Sequence, residues 1–156
     1  MASLRFLTID EFILTHDESN LLSLAGIGGP NSVGGRTLDR ARLEAQLARA
    51  EAMASGYLYS RYPALKTITP DQAPEALKGV ISDLAIYYLR DRIHHTNAVE
   101  EETRNRYRDC LSWLKDVQAG RVSLGLSDGG EAEHHSGSIA ADFGEGRADK
   151  VLEGYQ

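Results

Sequence analysis

Cysteine, proline and tryptophan are scarce in this chain: among 156 residues there are four prolines, one tryptophan and a single cysteine, Cys110. A lone cysteine closes no internal disulfide, which excludes the disulfide-stapled secreted scaffolds. Cys110 falls in a helical apolar pattern, where it reads as a small buried hydrophobe rather than a reactive thiol. There is no run of about eighteen apolar residues to span a bilayer. Residues 1–15 carry neither a basic leader nor an apolar stretch of signal-peptide length, so synthesis in the cytoplasm is expected. A basic excess is missing as well: the net charge is −6, which argues against a protein built around nucleic-acid phosphates.

What is present is ordinary for a globular protein, with 42% hydrophobic and 26% charged residues. The length suits one domain with appendages rather than two domains. The charge is unevenly placed. Residues 127–156 hold seven acids against Arg147 and Lys150, a net −5, whereas residues 37–126 hold thirteen Lys and Arg against twelve Asp and Glu, a net +1. The acidity therefore belongs mainly to the C-terminal segment, which would repel nucleic acid and suit a basic protein partner. Three parts are expected: residues 1–36 as a short helix and Gly-rich loop, 37–126 as a helical body, and 127–156 as an acidic Gly-rich tail.

The expected fold class is mostly α, a compact bundle of about four helices with a long N-terminal loop and an extended C-terminal arm. Thr8 and Glu11 form a capping-box pattern ahead of Phe12, Ile13 and Leu14, which starts a short helix ending near His16. Residues 17–36 mix Leu21, Leu22, Leu24 and Ile27 with five glycines and Pro30, and read as a long loop. A loop of that length is a candidate contact surface, with Gly28 and Gly29 at its centre. Thr37 suits the N-cap of a second helix, in which Leu43, Leu47, Ala50, Ala54, Tyr57 and Leu58 recur at three- and four-residue steps until Pro63 stops it. Thr69, Pro70 and Pro74 then introduce a third helix with Leu77, Val80, Ile81, Leu84, Ala85, Tyr88 and Leu89 on one stripe, the expected centre of the core. Thr96 or Asn97 caps a fourth, whose stripe is Tyr107, Cys110, Leu111, Leu114 and Val117 beside Trp113, with Gly120 at its C′ position. Residues 121–126 alternate Arg121, Ser123 and Gly125 with Val122, Leu124 and Leu126, the pattern of a short half-buried strand or extended arm. Beyond it, Ile139, Phe143, Val151, Leu152 and Tyr155 are too sparse to make a core, so the tail is expected to order only by docking.

No chemistry-bearing motif emerges. The glycines at 26–29 lack both the preceding strand and the Gly-Lys-Ser/Thr of a phosphate loop. His94–His95 and His134–His135 are adjacent pairs, and neighbouring helical positions point about 100° apart, so neither pair chelates a metal alone. The scattered serines sit in no Gly-x-Ser-x-Gly frame. Arg104, Arg106 and Arg108 spread around a helix within reach of Glu100, Glu101, Glu102 and Asp109, which favours a solvated, ion-paired face over a DNA footprint. Among the tyrosines, Tyr57 and Tyr88 are expected in the core, with Tyr59 and Tyr87 facing outward. No enzyme activity, cofactor or metal is expected, and the candidate contact residues are Gly28, Gly29, Arg121, Val122, Leu124, Leu126, Ile139, Phe143, Val151, Leu152 and Tyr155.

Four stretches together carry a resemblance: Phe6 to Phe12 with its aromatic-x-Thr-x-x-acid pattern, Tyr57-Leu58 with Arg61-Tyr62-Pro63, Asp83-Leu84-Ala85, and Arg106-Tyr107 to Leu111 with Trp113-Leu114 and the run 120–126. In order and spacing they resemble the Mu-type phage head-to-tail connector family. The resemblance implies a helical subunit of a homo-oligomeric ring, dodecameric by match to the portal. That ring would lie in the virion neck between the portal protein and a tail terminator or stopper protein, and genomic DNA would pass through its channel without sequence-specific binding. The competing reading is a small helical DNA-binding or packaging accessory protein; a metal-dependent enzyme using the histidine pairs comes third. The glycine-rich segment 26–35 and the ending 137–156 depart from the family pattern.

Overall fold

The computed structural model describes residues 4–29, 35–90 and 98–126, with the backbone alone for 98–100. Among these, five α-helices and one two-stranded ribbon follow in the order α1 (Ile9–Thr15), α2 (Glu18–Ala25), β1 (Gly26–Ile27), β2 (Thr37–Leu38), α3 (Arg40–Leu58), α4 (Glu75–Arg90) and α5 (Ala98–Gln118). The mostly α class is as the sequence indicates. Two 3-10 turns, Pro63–Lys66 and Pro70–Gln72, link α3 to α4.

The capping box forms as the sequence predicts: the Glu11 amide donates to Thr8 Oγ1 at 3.1 Å and the Thr8 amide to Glu11 Oε2 at 2.9 Å. The same chemistry recurs at Thr69 and Gln72, but there it starts a single 3-10 turn, and α4 begins beyond Pro74.

Two local readings are corrected. Residues 18–25 are not loop but the helix α2, which buries Leu21, Leu24 and Ala25. The three apolar residues fall at helical spacing, and neighbouring helices supply the burial that eight residues need to stay helical. Thr37 is not a helix cap. It pairs with Ile27 across the antiparallel ribbon, and Asp39 caps α3 by accepting from the Arg42 amide at 2.9 Å. Asp39 also donates its amide to the Ala25 carbonyl at 2.7 Å, which locks the ribbon between α2 and α3. At Gly26 a side chain would collide with the Leu22 carbonyl and the Arg36 guanidinium, so the tight exit from α2 requires glycine.

The core is one cluster. α3 contributes Leu43, Leu47, Ala50, Ala54 and Leu58; α4 contributes Leu77, Ile81, Leu84, Ala85, Tyr88 and Leu89; α5 contributes Cys110, Leu114 and Val117. Phe6, Leu7 and Phe12 close it from the N-terminal side. Tyr57 stays half-exposed, against expectation, and Tyr62 is the fully buried tyrosine at 0% exposure. Tyr62 lies past the end of α3, where helical periodicity gives no guidance.

α5 ends in a Schellman motif: Gly120, at φ +81°, donates to the Val117 carbonyl at 3.1 Å, and Arg121 to that of Asp116 at 2.8 Å. Residues 121–126 then run as bends, not as the strand that was one of the two forms expected. The alternation of burial survives, since Val122, Leu124 and Leu126 are half-buried against the core while Arg121, Ser123 and Gly125 face out. The strand fails because left-handed glycines at 120 and 125 turn the chain back onto its own body. The caps expected at Thr96 or Asn97 and the pair His94–His95 lie outside the described residues. So does the tail, including His134 and His135.

Candidate interaction surfaces

The N-terminal layer is attached to the bundle by placed polar groups. Glu51 lies on the buried stripe of α3, three and four residues from Ala54 and Leu47, and is 7% exposed. Its carboxylate accepts three consecutive backbone amides, from Arg5 at 3.1 Å, Phe6 at 2.8 Å and Leu7 at 3.3 Å. The buried charge is thereby satisfied by donors that have no other partner in an irregular strand of chain. The sequence reading missed this residue. A glutamate at an i, i+4, i+7 position among leucines and alanines is the signal that finds it.

A second junction joins α1 to α4. Lys78 Nζ lies 2.8 Å from Glu11 Oε1 and 3.3 Å from Glu75 Oε1. Hydrogen bonds from Lys78 and Thr8 hold the Glu11 carboxyl down to about 2, and the same partner raises the Lys78 ammonium above its ordinary value. At the end of α1, His16 Nε2 stands 2.6 Å from the buried Ser82 Oγ, and its imidazole packs edge-on to Phe12 at 4.8 Å. Burial pushes the His16 pKa below 6.5, with the Asp83 carboxylate opposing. A histidine next to a serine could suggest nucleophile activation, but here the serine is buried and the pair serves as a tie between two helices.

Beside this junction runs an open groove of about 330 Å³ floored by Leu7, Lys78, Gly79 and Ser82. Leu14 stands on its rim, 86% exposed. A second groove, between α4 and α5, has a volume of about 390 Å³ and is lined by Val80, Asp83, Arg106, Asp109, Cys110 and Trp113. Burial pushes the Cys110 thiol up to about 12, which leaves it protonated and unreactive at neutral pH. Arg106 pairs with Glu102 at 2.8 Å and lies 3.9 Å from Asp83, as the ion-paired reading of that face expects. Around Tyr88, the Arg49 guanidinium sits 4.0 Å from the ring centroid and Tyr107 stacks on Tyr87 at 4.0 Å, a set of contacts that sequence spacing did not reveal. Burial pushes the Tyr88 hydroxyl up to about 12.

The residues singled out from sequence fall in separate places. Gly28, at φ +89° and exposed, and Gly29 follow the ribbon strand that presents Ile27, 54% exposed. Arg121 pairs with Asp116, and Val122, Leu124 and Leu126 are half-buried against their own core. Ile139, Phe143, Val151, Leu152 and Tyr155 lie outside the described residues. Among the described residues no group of His, Cys, Asp and Glu could hold a metal, and no helix is long and apolar enough to cross a membrane.

The amino-acid sequence is similar to that of phage proteins. The family model described as Bacteriophage Mu, Gp36 matches residues 6–142, which takes in every helix above and reaches into the acidic segment. The Mu-like prophage FluMu protein gp36 of Haemophilus influenzae is 31% identical over 111 residues, which cover 70% of this chain and 72% of that protein. With matches of that extent, the chain belongs to the bacteriophage Mu Gp36 family.

Proposed function

We propose that this chain is a non-enzymatic virion component, a subunit of a homo-oligomeric ring at the junction of phage head and tail. The single observation that carries the reading is the family match over residues 6–142. It joins a rigid helical wedge to an acidic extension, the combination expected of an adaptor with one surface for its own copies and another for its neighbours. α3, α4 and α5 share one apolar core and form the wedge. A heterologous ring buries the same two surfaces at every junction, so it needs an apolar knob on one flank. Leu14 and Ile27 are the two large hydrophobics left exposed among the described residues. The portal protein and a tail terminator or stopper protein are the proposed neighbours, with DNA passing through the channel unread. The near-neutral body suits such passage better than tight phosphate binding.

Deleting residues 127–156 from the phage-encoded protein tests this directly. Heads should fill with DNA but fail to acquire tails, and electron microscopy would show full heads and free tails side by side. Particles that join normally would overturn the adaptor role of the extension. Purified full-length protein that never forms rings, alone or on portal, would overturn the ring.

A further inference from the structure

Where α3 and α5 both stop, the bundle carries a collar of positive charge. Arg61, three residues past α3, donates to the Val117 carbonyl of α5 at 3.1 Å, and the Leu124 amide donates to the Tyr62 hydroxyl at 3.3 Å. The end of α3, the end of α5 and the last described residues are therefore at one place. Lys66 joins them from the first 3-10 turn, its ammonium 5.6 Å from the Tyr59 ring centroid. Arg5 arrives from the N-terminal segment, its guanidinium donating to the Lys66 carbonyl at 2.5 Å. Lys115 adds charge from the last turn of α5, and Arg121 lies just beyond it in an ion pair with Asp116.

Arg5, Arg61, Lys66, Lys115 and Arg121 outnumber the acids named beside them. Asp116 is paired with Arg121, Asp71 accepts from the Thr69 hydroxyl, and Glu51 is buried beneath three amides, so the last two keep their charge but face fixed donors. Among the described residues the Arg5 guanidinium and the Lys66 ammonium have no carboxylate partner, although both side chains are on exposed residues. Like charges brought together in this way favour an anionic counterpart.

We propose that the acidic segment 128–153 of the same subunit lies along this collar. The chain leaves the described body at Leu126, at the collar itself, and the acids begin at Asp128. Seven acids against two bases then follow, a net −5 that complements the cationic end. A glycine-rich chain of thirty residues has a root-mean-square reach of about 30 Å, comparable with the roughly 28 Å length of α3, so every acid can find the collar. Tethering supplies a millimolar effective concentration, which offsets pair energies that are individually below about 1 kcal/mol. The inference does not rest on the ring, since it concerns the free subunit.

A nitroxide attached at Ser138→Cys in a Cys110→Ala full-length chain tests it by paramagnetic broadening in a nitrogen-15 spectrum. At low ionic strength the amides of Arg5, Tyr59 and Lys66 should lose most of their intensity. They should regain it in about 1 M NaCl, where the screening length is about 3 Å. The Arg5→Glu, Lys66→Glu double variant should abolish the broadening while the α4 amides keep their positions. A collar that stays sharp at low salt, or broadening indifferent to charge reversal, would overturn the proposal. Broadening in a mixture where the spin label and the nitrogen-15 are on different chains would assign the tail to a second copy and overturn it equally.

Discussion

The three long helices and the N-terminal layer are held by different physics. Between α3, α4 and α5 the contacts are Leu43, Leu47, Leu84, Leu89, Leu114 and their neighbours, at 0% exposure and with few polar atoms to satisfy. The N-terminal layer also buries Phe6, Phe12 and Leu21, but its position is set by single polar residues reaching across: Glu51 to three amides, Glu11 to Lys78, His16 to Ser82, and Arg40 to Asp10 at 2.7 Å. Apolar burial is non-directional, so it makes a bundle cohesive without fixing how an irregular segment lies on it. Directional bonds to a buried carboxylate fix the register of residues 5–7.

The comparison can be broken at its stronger member first. Leu84→Ala removes a fully buried side chain from the middle of α4 and should cost about 3–5 kcal/mol, measured by urea denaturation. A cost below 1 kcal/mol would mean that the bundle is not the dominant cohesive unit. Glu51→Ala comes next, at about 2–3 kcal/mol, because it leaves the buried Phe6 and Leu7 amides without their acceptor. Hydrogen exchange should show the amides of Phe6 and Leu7 losing protection while those of Leu47 and Leu84 keep most of theirs. Uniform loss across both regions would erase the distinction.

The smallest effect is Glu11→Gln, which keeps the capping geometry and removes the charge facing Lys78. The pair is partly exposed, with the glutamate side chain at 39%, so the cost is discounted to about 1 kcal/mol or less. Its pH dependence identifies it. The folded carboxyl lies near 2 against an ordinary 4.5, so its stabilisation is complete above 4.5 and is lost as pH falls toward 2. The stability difference between parent and variant should therefore be constant from neutral pH down to about 4.5 and close as the pH falls from there toward 2. A difference that is flat through the acid range would show that Glu11 acts only as a cap.

Much of this was legible in the chain. Apolar periodicity located α4 and α5, the Thr8 and Glu11 pattern gave α1, and Gly120 marked the end of α5, because each depends on residues within a turn or two of one another. The errors share a cause. α2 hid among glycines because eight residues form a helix only when neighbours bury one face. Thr37 and Asp39 are both good caps, and the ribbon pairing of Thr37 with Ile27 left Asp39 to serve. The bent arm 121–126 kept its alternation but lost its strand to two left-handed glycines.

By itself, then, the sequence determined the helical class, the membership of the stripes and the uneven charge between body and acidic segment, since composition and short-range spacing are complete in one dimension. Only the tertiary structure decided which polar residues meet. Glu51 finds the amide of residue 5 across forty-six positions, and Lys78 finds Glu11 across sixty-seven. It also decided that Arg5, Lys66 and Arg121 share one end of the bundle. Contacts of that separation depend on how the helices pack, and no local pattern encodes them.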